Sequence, residues 1–424
     1  MDQDQQIYDT AKSEFWYLLQ IGALFPNFQP KWKRYSILQV VIYLIIVVYH
    51  VGLLGKTVIL SLENHDIATF AMTFHFFTIG ILVIILLSNI NNHRESIIIF
   101  LKNIQAKYYK YGDSSTKVLQ DKLNLESRKF KIILLTAIPA YFSLIALAWI
   151  VVVPIVDQYQ GGKKTYENGI YMECPVPLWF PYLIDNNFKY LLSMASEASV
   201  AFIFSVTIAA ANVGVIFFSM DLITQLKILN HSIKLIEKRA RILYEENGGK
   251  FKENALNSDK ENAVYSKIIN YCIQQNVEHH KVITESFNAL LTIAKWPLML
   301  VFIVAALIVA LSLYISVSGG VRIAPQLLSL LILFGEITDV FILCWLGQQI
   351  SDQSNYLFHQ FYNINWIHWD KTCKSSIMIA RERYKKPLVM SGGGMIAANL
   401  STYSDIMSSA YSYFQLLYAL ESEK

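Results

Sequence analysis

The sequence predicts an all-α membrane protein with seven transmembrane helices, a cytoplasmic amino terminus, an extracellular carboxyl terminus and a cytoplasmic helical anchor. Three observations lead to this prediction. Only 16% of the residues are charged, whereas a typical soluble chain has about 25%. Seven stretches are long enough to cross a bilayer, and six of them are strongly apolar. Lysine and arginine are concentrated in alternate connecting segments.

The first four predicted spans occupy about residues 37–60, 67–88, 132–156 and 188–220. A polar segment of some forty residues separates the second span from the third, and a loop containing Gly and Pro separates the third from the fourth. The apolar periodicity of the fourth span continues beyond bilayer length as an amphipathic helix. The fourth helix is therefore expected to leave the membrane and continue in the cytoplasm.

The fifth and sixth spans, about 287–317 and 326–346, have amphipathic extensions of the same kind. A short basic helix is expected at 371–386. Amphipathic helices need an apolar surface to pack against, so the extensions are expected to form a shared body in an oligomer. The resulting division of the chain is 1–220 (amino-terminal region and helices 1–4), 221–286 (extensions and loop), 287–346 (helices 5 and 6), 347–394 (anchor helices) and 395–424 (helix 7 and tail).

The distribution of basic residues sets the orientation. With the amino terminus inside, the cytoplasmic segments 1–35, 89–131, 221–286 and 347–394 hold 29 of the 36 Lys and Arg residues. This orientation is the reverse of a G-protein-coupled receptor. The third span also lacks Asp-Arg-Tyr and the seventh lacks Asn-Pro-x-x-Tyr, so that class is excluded.

The seventh span follows Gly392–Gly394 and carries many polar side chains. At 100° per residue its polar residues and two leucines form one stripe, and its aromatic residues form the opposite side. The stripe consists of Thr402, Asp405, Ser409, Ser412, Leu416 and Leu420. This pattern is typical of a helix that lines a watery passage with an apolar constriction at one end. The alternative is a helix whose small residues pack against neighbouring helices.

Sequence motifs for catalysis or metal binding are absent. There is no P-loop, no Gly-x-Ser-x-Gly and no His-Glu-x-x-His, so nothing supports an enzyme. Cys174, Cys272, Cys344 and Cys373 have no metal-binding spacing, and no cofactor is expected. The basic run 381–386 favours a solvated face near anionic lipid headgroups and not a nucleic-acid site.

The carboxyl end reads Arg-Tyr-Lys-Lys-Pro-Leu-Val-Met-Ser-Gly-Gly-Gly, followed by Leu-Ser-Thr-Tyr-Ser-Asp-Ile-Met-Ser-Ser-Ala-Tyr-Ser-Tyr-Phe-Gln-Leu-Leu. Together with seven spans and an inside amino terminus, this ending resembles the insect odorant receptor family. The topological resemblance covers the whole chain, and the motif resemblance covers about the last forty residues.

The resemblance implies an odorant-gated, non-selective cation channel in the plasma membrane of an olfactory neuron dendrite. This chain resembles a tuning subunit, which binds a small volatile odorant and assembles with co-receptor subunits into a heterotetramer embedded in membrane lipid. Two alternatives stay open, namely a gustatory receptor channel of the same superfamily and a seven-span receptor without its own pore. A transporter is disfavoured because only one span is broken by glycine.

By the resemblance, the second half of the seventh span lines the pore. Leu416 corresponds to the hydrophobic gate, and Leu420 lies one turn further out. Ser409 and Ser412 would line the wetted part of the pore. Asp405 would either form an acidic ring that favours cations or pair with a basic residue of the anchor.

The resemblance also implies a ligand site in the outer half of the membrane, among spans two, three, four and six. The candidate residues are Phe70, Thr73, Phe74, Phe77, Phe142, Ala146, Trp149, Ile150, Met194, Ala198, Leu330 and Phe334. An aromatic stripe at helical spacing is also typical of lipid-facing or packed residues. His75 is expected to be a packing residue, and the acidic residues Glu197, Glu336 and Asp339 are expected to face the bundle interior or to pair.

Overall fold

Long helices make up nearly all of the described chain, which in this computed structural model comprises residues 16–24, 30–111, 114–159, 166–167, 169–171, 174–246, 259–317 and 323–422. The helices are α1 (Trp16–Ile21), α2 (Pro30–Glu63), α3 (Ile67–Asn92), α4 (Arg94–Gln105), α5 (Ser114–Leu147), α6 (Val153–Tyr159), α7 (Asn187–Lys234), α8 (Ile236–Glu246), α9 (Asp259–Val317), α10 (Ile323–Asn363), α11 (Lys371–Tyr384) and α12 (Leu400–Ser422).

Short elements connect these helices. A π-helical turn, Ala148–Val152, joins α5 to α6, and a 3-10 turn, Trp366–His368, precedes α11. Two antiparallel hairpins pair β1 (Tyr166–Glu167) with β2 (Ile170–Tyr171), and β3 (Ser391–Gly392) with β4 (Ile396–Ala397).

Six helical segments of the described chain are long and apolar enough to cross a bilayer. They are α2, α3, the continuous α5–α6 segment, α7, α9 and α10, and the more polar α12 is the seventh helix. The prediction of an all-α, seven-helix membrane protein is therefore confirmed. The helices α7, α9 and α10 contain 48, 59 and 41 residues. Each is far longer than the ~20 residues that a bilayer requires.

The helices α7 and α9 form the centre of the bundle. In the most apolar stretch of each, 61% of the residues are buried, against 28% in α2 and 17% in the α5–α6 segment. The outer helices instead expose large apolar side chains such as Ile45 and Ile133. Such side chains are stable next to lipid tails, so α2 and α5 form the lipid-facing rim of this chain.

The extensions of α7, α9 and α10 pack with α8 and α11 into one helical unit, which we call the extension body (221–246, 259–286 and 347–384). Its centre holds the fully buried Arg239. The Arg239 Nη1 donates to Ser232 Oγ at 2.6 Å and to Asn276 Oδ1 at 3.3 Å. The guanidinium carbon lies 4.5 Å from the centre of the Tyr111 ring. The chain itself thus surrounds this buried cation with oxygen acceptors and an aromatic face.

A glycine-rich hairpin, β3–β4, joins the extension body to α12. Gly393 and Gly394 adopt φ values of +63° and +79°, which favour glycine. A Cβ on Gly392 would lie 2.8 Å from the backbone of Met299 in α9, so the hairpin requires glycine for close approach. Asn399 then caps α12 by accepting from the Thr402 amide at 2.8 Å. The sequence suggested that the last helix begins directly after the glycines. The hairpin explains why α12 begins instead at Leu400.

None of the four cysteines forms a disulfide bond, and all four are buried. The Cys373 thiol donates to the Ser266 carbonyl at 3.3 Å, and burial raises the pKa of this thiol to about 12. Such a thiol is a packing group and not a reactive nucleophile.

Candidate functional site

A cavity of about 100 Å³ lies inside the membrane bundle, enclosed by α3, α5 with the π-turn, α7, α9 and α10. Its walls are mostly aromatic and aliphatic. The lining residues are His75, Phe76, Thr78, Ile79, Leu82, Tyr141, Phe142, Ile145, Trp149, Phe204, Ser205, Ile208, Leu300, Val301, Val304, Ile308, Ile332, Gly335, Glu336 and Asp339. An interior apolar cavity with a few polar groups is typical of a small-molecule site.

The π-turn aims Trp149 into this cavity. The Trp149 ring packs against Phe76, with centroids 4.2 Å apart. Its indole Nε1 donates to Glu197 Oε2 at 3.3 Å, and the amide of Val176 donates to the same oxygen at 3.2 Å. The connection between β2 and α7 therefore helps to fix the orientation of the tryptophan. Single π-turns inside α-helices occur frequently at functional sites.

Three side chains of the cavity lining carry a carboxyl or imidazole group. Glu336 and Asp339 come from α10, and His75 comes from α3. His75 is only 4% exposed, and its Nδ1 has no hydrogen-bond partner among the described residues. The structure thus gives His75 a place in the cavity wall, although sequence reasoning favoured a packing role. No group of His, Cys, Asp and Glu in the described chain is arranged to hold a metal ion.

A second cavity of about 90 Å³ adjoins the first and extends towards α4. The two cavities share Leu82, Ile208, Val301 and Asp339 as lining residues. The bundle interior therefore contains two neighbouring apolar spaces with one carboxyl group at their common border.

Two of the candidate ligand residues, Phe142 and Trp149, line the main cavity. Leu330 and Phe334 are 47% and 65% exposed on the outside of α10, and Phe334 borders a separate groove beside Tyr141. The remaining candidates lie elsewhere in the bundle, outside the lining of the main cavity. They are Phe70, Thr73, Phe74, Phe77, Ala146, Ile150, Met194 and Ala198.

The candidates on α3 lie on a different face from the one that borders the cavity. Phe76, Ile79 and His75 face the cavity, whereas the Thr73 hydroxyl is buried and donates to the Thr69 carbonyl at 2.8 Å. The helix α3 is apolar on all sides, so hydrophobic periodicity gives no information about which face points inward. On α7 the lining residues Phe204, Ser205 and Ile208 lie deeper than the candidates Met194 and Ala198.

The last helix, α12, has one face packed against its own chain. Ile406 and Ala410 are buried, Tyr403 packs edge to face on Phe341 of α10, and Phe414 and Leu417 pack against the α3–α9 contact. The other face is polar and points away from the chain. On it, Asp405 and Ser412 are exposed, Ser409 is half-buried and Leu416 is 60% exposed. The side chain of Leu420 lies outside the described part of the chain.

The serine hydroxyls of α12 bond within the helix. Ser409 Oγ donates to the Asp405 carbonyl at 2.8 Å, and Ser412 Oγ donates to the Ser408 carbonyl at 3.1 Å. Each hydroxyl oxygen keeps its lone pairs for water or an ion, so this face is compatible with a wetted surface.

A small aromatic cluster connects α3 to α12. Phe70 stacks on Phe74 with ring centroids 5.3 Å apart, and both pack in the same cluster as Phe414 and Leu417. The helix α3 therefore borders the cavity on one side and on another side shares a buried cluster with α9 and α12.

A family model described as 7tm Odorant receptor matches residues 66–411. The chain is 32% identical over 88 residues to Odorant receptor 2a of Drosophila melanogaster. The aligned residues are 20% of this chain and 22% of that protein. It is 23% identical over 126 residues to Odorant receptor 23a of the same species. These aligned residues are 30% of this chain and 33% of that protein. The chain thus spans between a fifth and a third of the length of these curated relatives.

Among solved structures, the insect olfactory receptor OR5 from Machilis hrabei in complex with eugenol matches with a TM-score of 0.76 and 13% sequence identity. The match covers 99% of this chain and 100% of that chain. A second structure of OR5 from Machilis hrabei matches with a TM-score of 0.73 and 13% sequence identity. At this identity the match shows a shared fold.

Proposed function

This chain belongs to the 7tm odorant receptor family, and from that premise we propose that it is the odorant-binding subunit of a heteromeric, odorant-gated, non-selective cation channel. Members of this family are ligand-binding receptors, so the protein is not an enzyme. It is a multi-pass membrane protein, and its proposed location is the plasma membrane of an olfactory neuron dendrite. Its proposed partners are a small volatile odorant, co-receptor subunits of the same fold and membrane lipid.

The cavity is the observation that carries this proposal. Five helical segments enclose it, its walls are mostly apolar, and it lies at bilayer depth, where a volatile that dissolves in lipid is concentrated. Burial of apolar surface would supply most of the affinity, and the few polar groups would select among volatiles of similar size.

The free face of α12 supports a pore. Its polar residues would find water only if this face lined an aqueous passage, because lipid offers exposed polar groups no partner. In a ring of such helices, the exposed Leu416 would form an apolar constriction that blocks ions by expelling water. Asp405, exposed one to two turns before Ser409 and Ser412, would favour cations.

Opening would follow from contacts that join the cavity to α12. The helix α3 lines the cavity through Phe76, and its Phe70 and Phe74 pack against the same buried cluster as Phe414 of α12. A volatile that shifts α3 would therefore change the packing behind the pore-lining face.

The test is a current measurement on the full chain expressed with a co-receptor subunit. A volatile should evoke a cation current that persists when G-protein signalling is blocked. Leu416→Ala should raise the leak current several-fold or change the ion selectivity, because it shortens the constriction.

Leu417→Ala is the matched control, since this neighbouring leucine packs inside the chain. It should lower thermal stability and leave ion selectivity unchanged. An unchanged leak, permeability and dose response in Leu416→Ala would remove Leu416 from the gate. A response abolished by G-protein block would support the receptor without its own pore.

A further inference from the structure

Two carboxyl groups border the main cavity from the same helix. Glu336 and Asp339 are three residues apart on α10, a spacing that makes them neighbours on one face. Both belong to the cavity lining. None of the described residues that line this cavity is Lys or Arg. The chain thus brings two acidic groups, and no basic side chain, to an otherwise apolar space.

Two other hydroxyl groups of the wall are already hydrogen-bonded within the chain. The Thr78 hydroxyl donates to the His75 carbonyl at 2.8 Å, and the Tyr141 hydroxyl donates to the Leu331 carbonyl. These donors are therefore committed to backbone acceptors and do not neutralise the carboxyl groups.

His75 is an independent sign of a polar ligand. It is buried in the cavity wall, and its Nδ1 has no hydrogen-bond partner among the described residues. A buried ring nitrogen without a partner is costly, so native structures rarely keep one without a reason. In the tautomer with its proton on Nδ1, the other ring nitrogen, Nε2, would accept a hydrogen bond from a ligand.

We propose that the cavity bordered by Glu336, Asp339 and His75 recognises a small aliphatic amine. This inference rests on the proposed function and specifies its ligand class. An ammonium group has three donors and no acceptor, which matches two carboxyl groups and one ring nitrogen. An amine that enters the cavity in its neutral form would accept a proton from a carboxyl group. The products are an ammonium and a carboxylate, so an ion pair forms and the total charge is unchanged.

Physical chemistry favours an amine over a neutral ester or hydrocarbon. A carboxylate in apolar surroundings is costly unless a positive charge and hydrogen-bond donors face it. An amine supplies both, whereas a hydrocarbon of the same shape supplies neither. An alcohol supplies one donor and no charge, so it should bind less tightly than the amine.

The size of the cavity limits the ligand. An apolar protein cavity of about 150 Å³ holds benzene, and this cavity measures about 100 Å³. The expected ligands are therefore small. Pentylamine, 1-pentanol and hexane form a suitable series because they have the same number of non-hydrogen atoms and differ at one end of the chain.

The first experiment compares these three compounds on the full chain co-expressed with a co-receptor subunit. Pentylamine should evoke half-maximal current at a concentration at least tenfold lower than 1-pentanol, and hexane should be the weakest. Higher potency of 1-pentanol than of pentylamine would overturn the inference.

Two variants test the carboxyl groups directly. Glu336→Gln and Asp339→Asn keep side-chain volume, and each should raise the half-maximal concentration of pentylamine at least tenfold while shifting 1-pentanol less than threefold. Asp352→Asn is the matched control, because Asp352 is an exposed acid on the extension of the same helix. It should shift neither compound. Equal shifts for both compounds in the Glu336 and Asp339 variants would contradict the inference.

A binding measurement separates this inference from the proposed channel function. Pentylamine should raise the melting temperature of the detergent-solubilised wild-type chain more than 1-pentanol does at equal concentration. If pentylamine stabilises the chain more than 1-pentanol does but no volatile evokes a current, the amine site would be supported and the channel function rejected. Current from neutral volatiles together with no stabilisation by pentylamine would support the channel and reject the amine site.

Discussion

The extension body and the membrane cavity bury polar side chains in opposite ways. In the extension body, the Arg239 guanidinium is held by Ser232, Asn276 and the face of Tyr111, all from the same chain. In the cavity, Glu336 and His75 border an apolar space. The comparison teaches that a polar side chain inside the bundle suggests a ligand site only when the chain does not itself supply the partners of that side chain.

The hydrogen-bond network around Arg239 extends further through the extension body. The Tyr111 hydroxyl lies 2.8 Å from His279 Nδ1, and His279 Nε2 lies 3.1 Å from Gln225 Oε1. The Tyr384 ring packs edge to face on His280, with centroids 4.3 Å apart. Connected networks of this kind rigidify a core and specify one arrangement of its helices. The extension body is therefore expected to act as a rigid base beneath a more adaptable cavity.

The largest effect is expected for Arg239→Met, which tests whether the extension body is structural. Each buried acceptor that loses its donor costs about 1–3 kcal/mol. Ser232 Oγ and Gln275 Oε1 each lose the donor that Arg239 supplies, whereas Asn276 Oδ1 keeps the hydroxyls of Ser232 and Tyr111 as donors. The free energy of unfolding should therefore fall by about 2 kcal/mol or more. The melting temperature of the solubilised chain and its amount at the cell surface would both decrease.

The control for Arg239→Met is Lys238→Met, which removes the same charge from an exposed neighbour on α8. It should change the melting temperature little, because exposed charges contribute little to stability. An unchanged melting temperature in Arg239→Met would show that methionine packs as well as the network, and the contrast between the two regions would then fail.

A smaller effect is expected for Gly347→Ala, which tests how the extension body holds α12. A Cβ at Gly347 would collide with the carbonyl oxygen and the Cβ of Ala398, just after the β3–β4 hairpin. Overpacking of this kind costs about 1–3 kcal/mol, and the displaced hairpin should also alter the basal current.

Gly52→Ala is the matched control, because Gly52 is also helical and has no neighbouring atom within 4 Å of the added Cβ. Alanine should leave stability unchanged or raise it by about 0.5–1 kcal/mol, since glycine is unfavourable inside a helix. If both variants behaved alike, close packing at Gly347 would not be what holds the hairpin.

Much of the fold can be predicted from the sequence, because the patterns that indicate its helices are strong and lie within single segments of the chain. Bilayer-length apolar stretches and their amphipathic continuations locate the long helices, and the short basic helix predicted at 371–386 corresponds to α11, Lys371–Tyr384. The glycines at 392–394 indicate a break, but the sequence does not reveal that the break is a hairpin pressed against Met299. That contact depends on residues nearly a hundred positions apart.

The site is harder to predict from the sequence, because tertiary contacts decide which residues meet there. Trp149 and Phe142 lie on α5 and its π-turn and were identified as candidates, whereas the cavity face of α3 was not. Large apolar residues occur on every side of α3 near Phe76, so only the neighbours of α3 decide which face borders the cavity. The acidic residues Glu336 and Asp339 did give a signal, since carboxyl groups within a membrane span are rare and functional.

The smallest effect, and the sharpest test of the cavity face, is expected from Phe76→Ala compared with Phe74→Ala. Phe76 is 4% exposed and packs on Trp149 in the cavity wall, whereas Phe74 packs with Phe70 in the cluster that contains Phe414. Removing the Phe76 ring enlarges the cavity, so small volatiles should lose affinity by about tenfold, which corresponds to about 1.4 kcal/mol, while larger ones lose less or gain. The rank order of volatiles should therefore change.

Phe74→Ala should instead shift the half-maximal concentrations of all volatiles by a similar factor. It alters the packing between α3 and α12 and not the space in which the volatile lies. Dose–response curves for a homologous series of volatiles measure both effects, and a changed rank order in Phe74→Ala alone would place the ligand site on the face of α3 that carries Phe74.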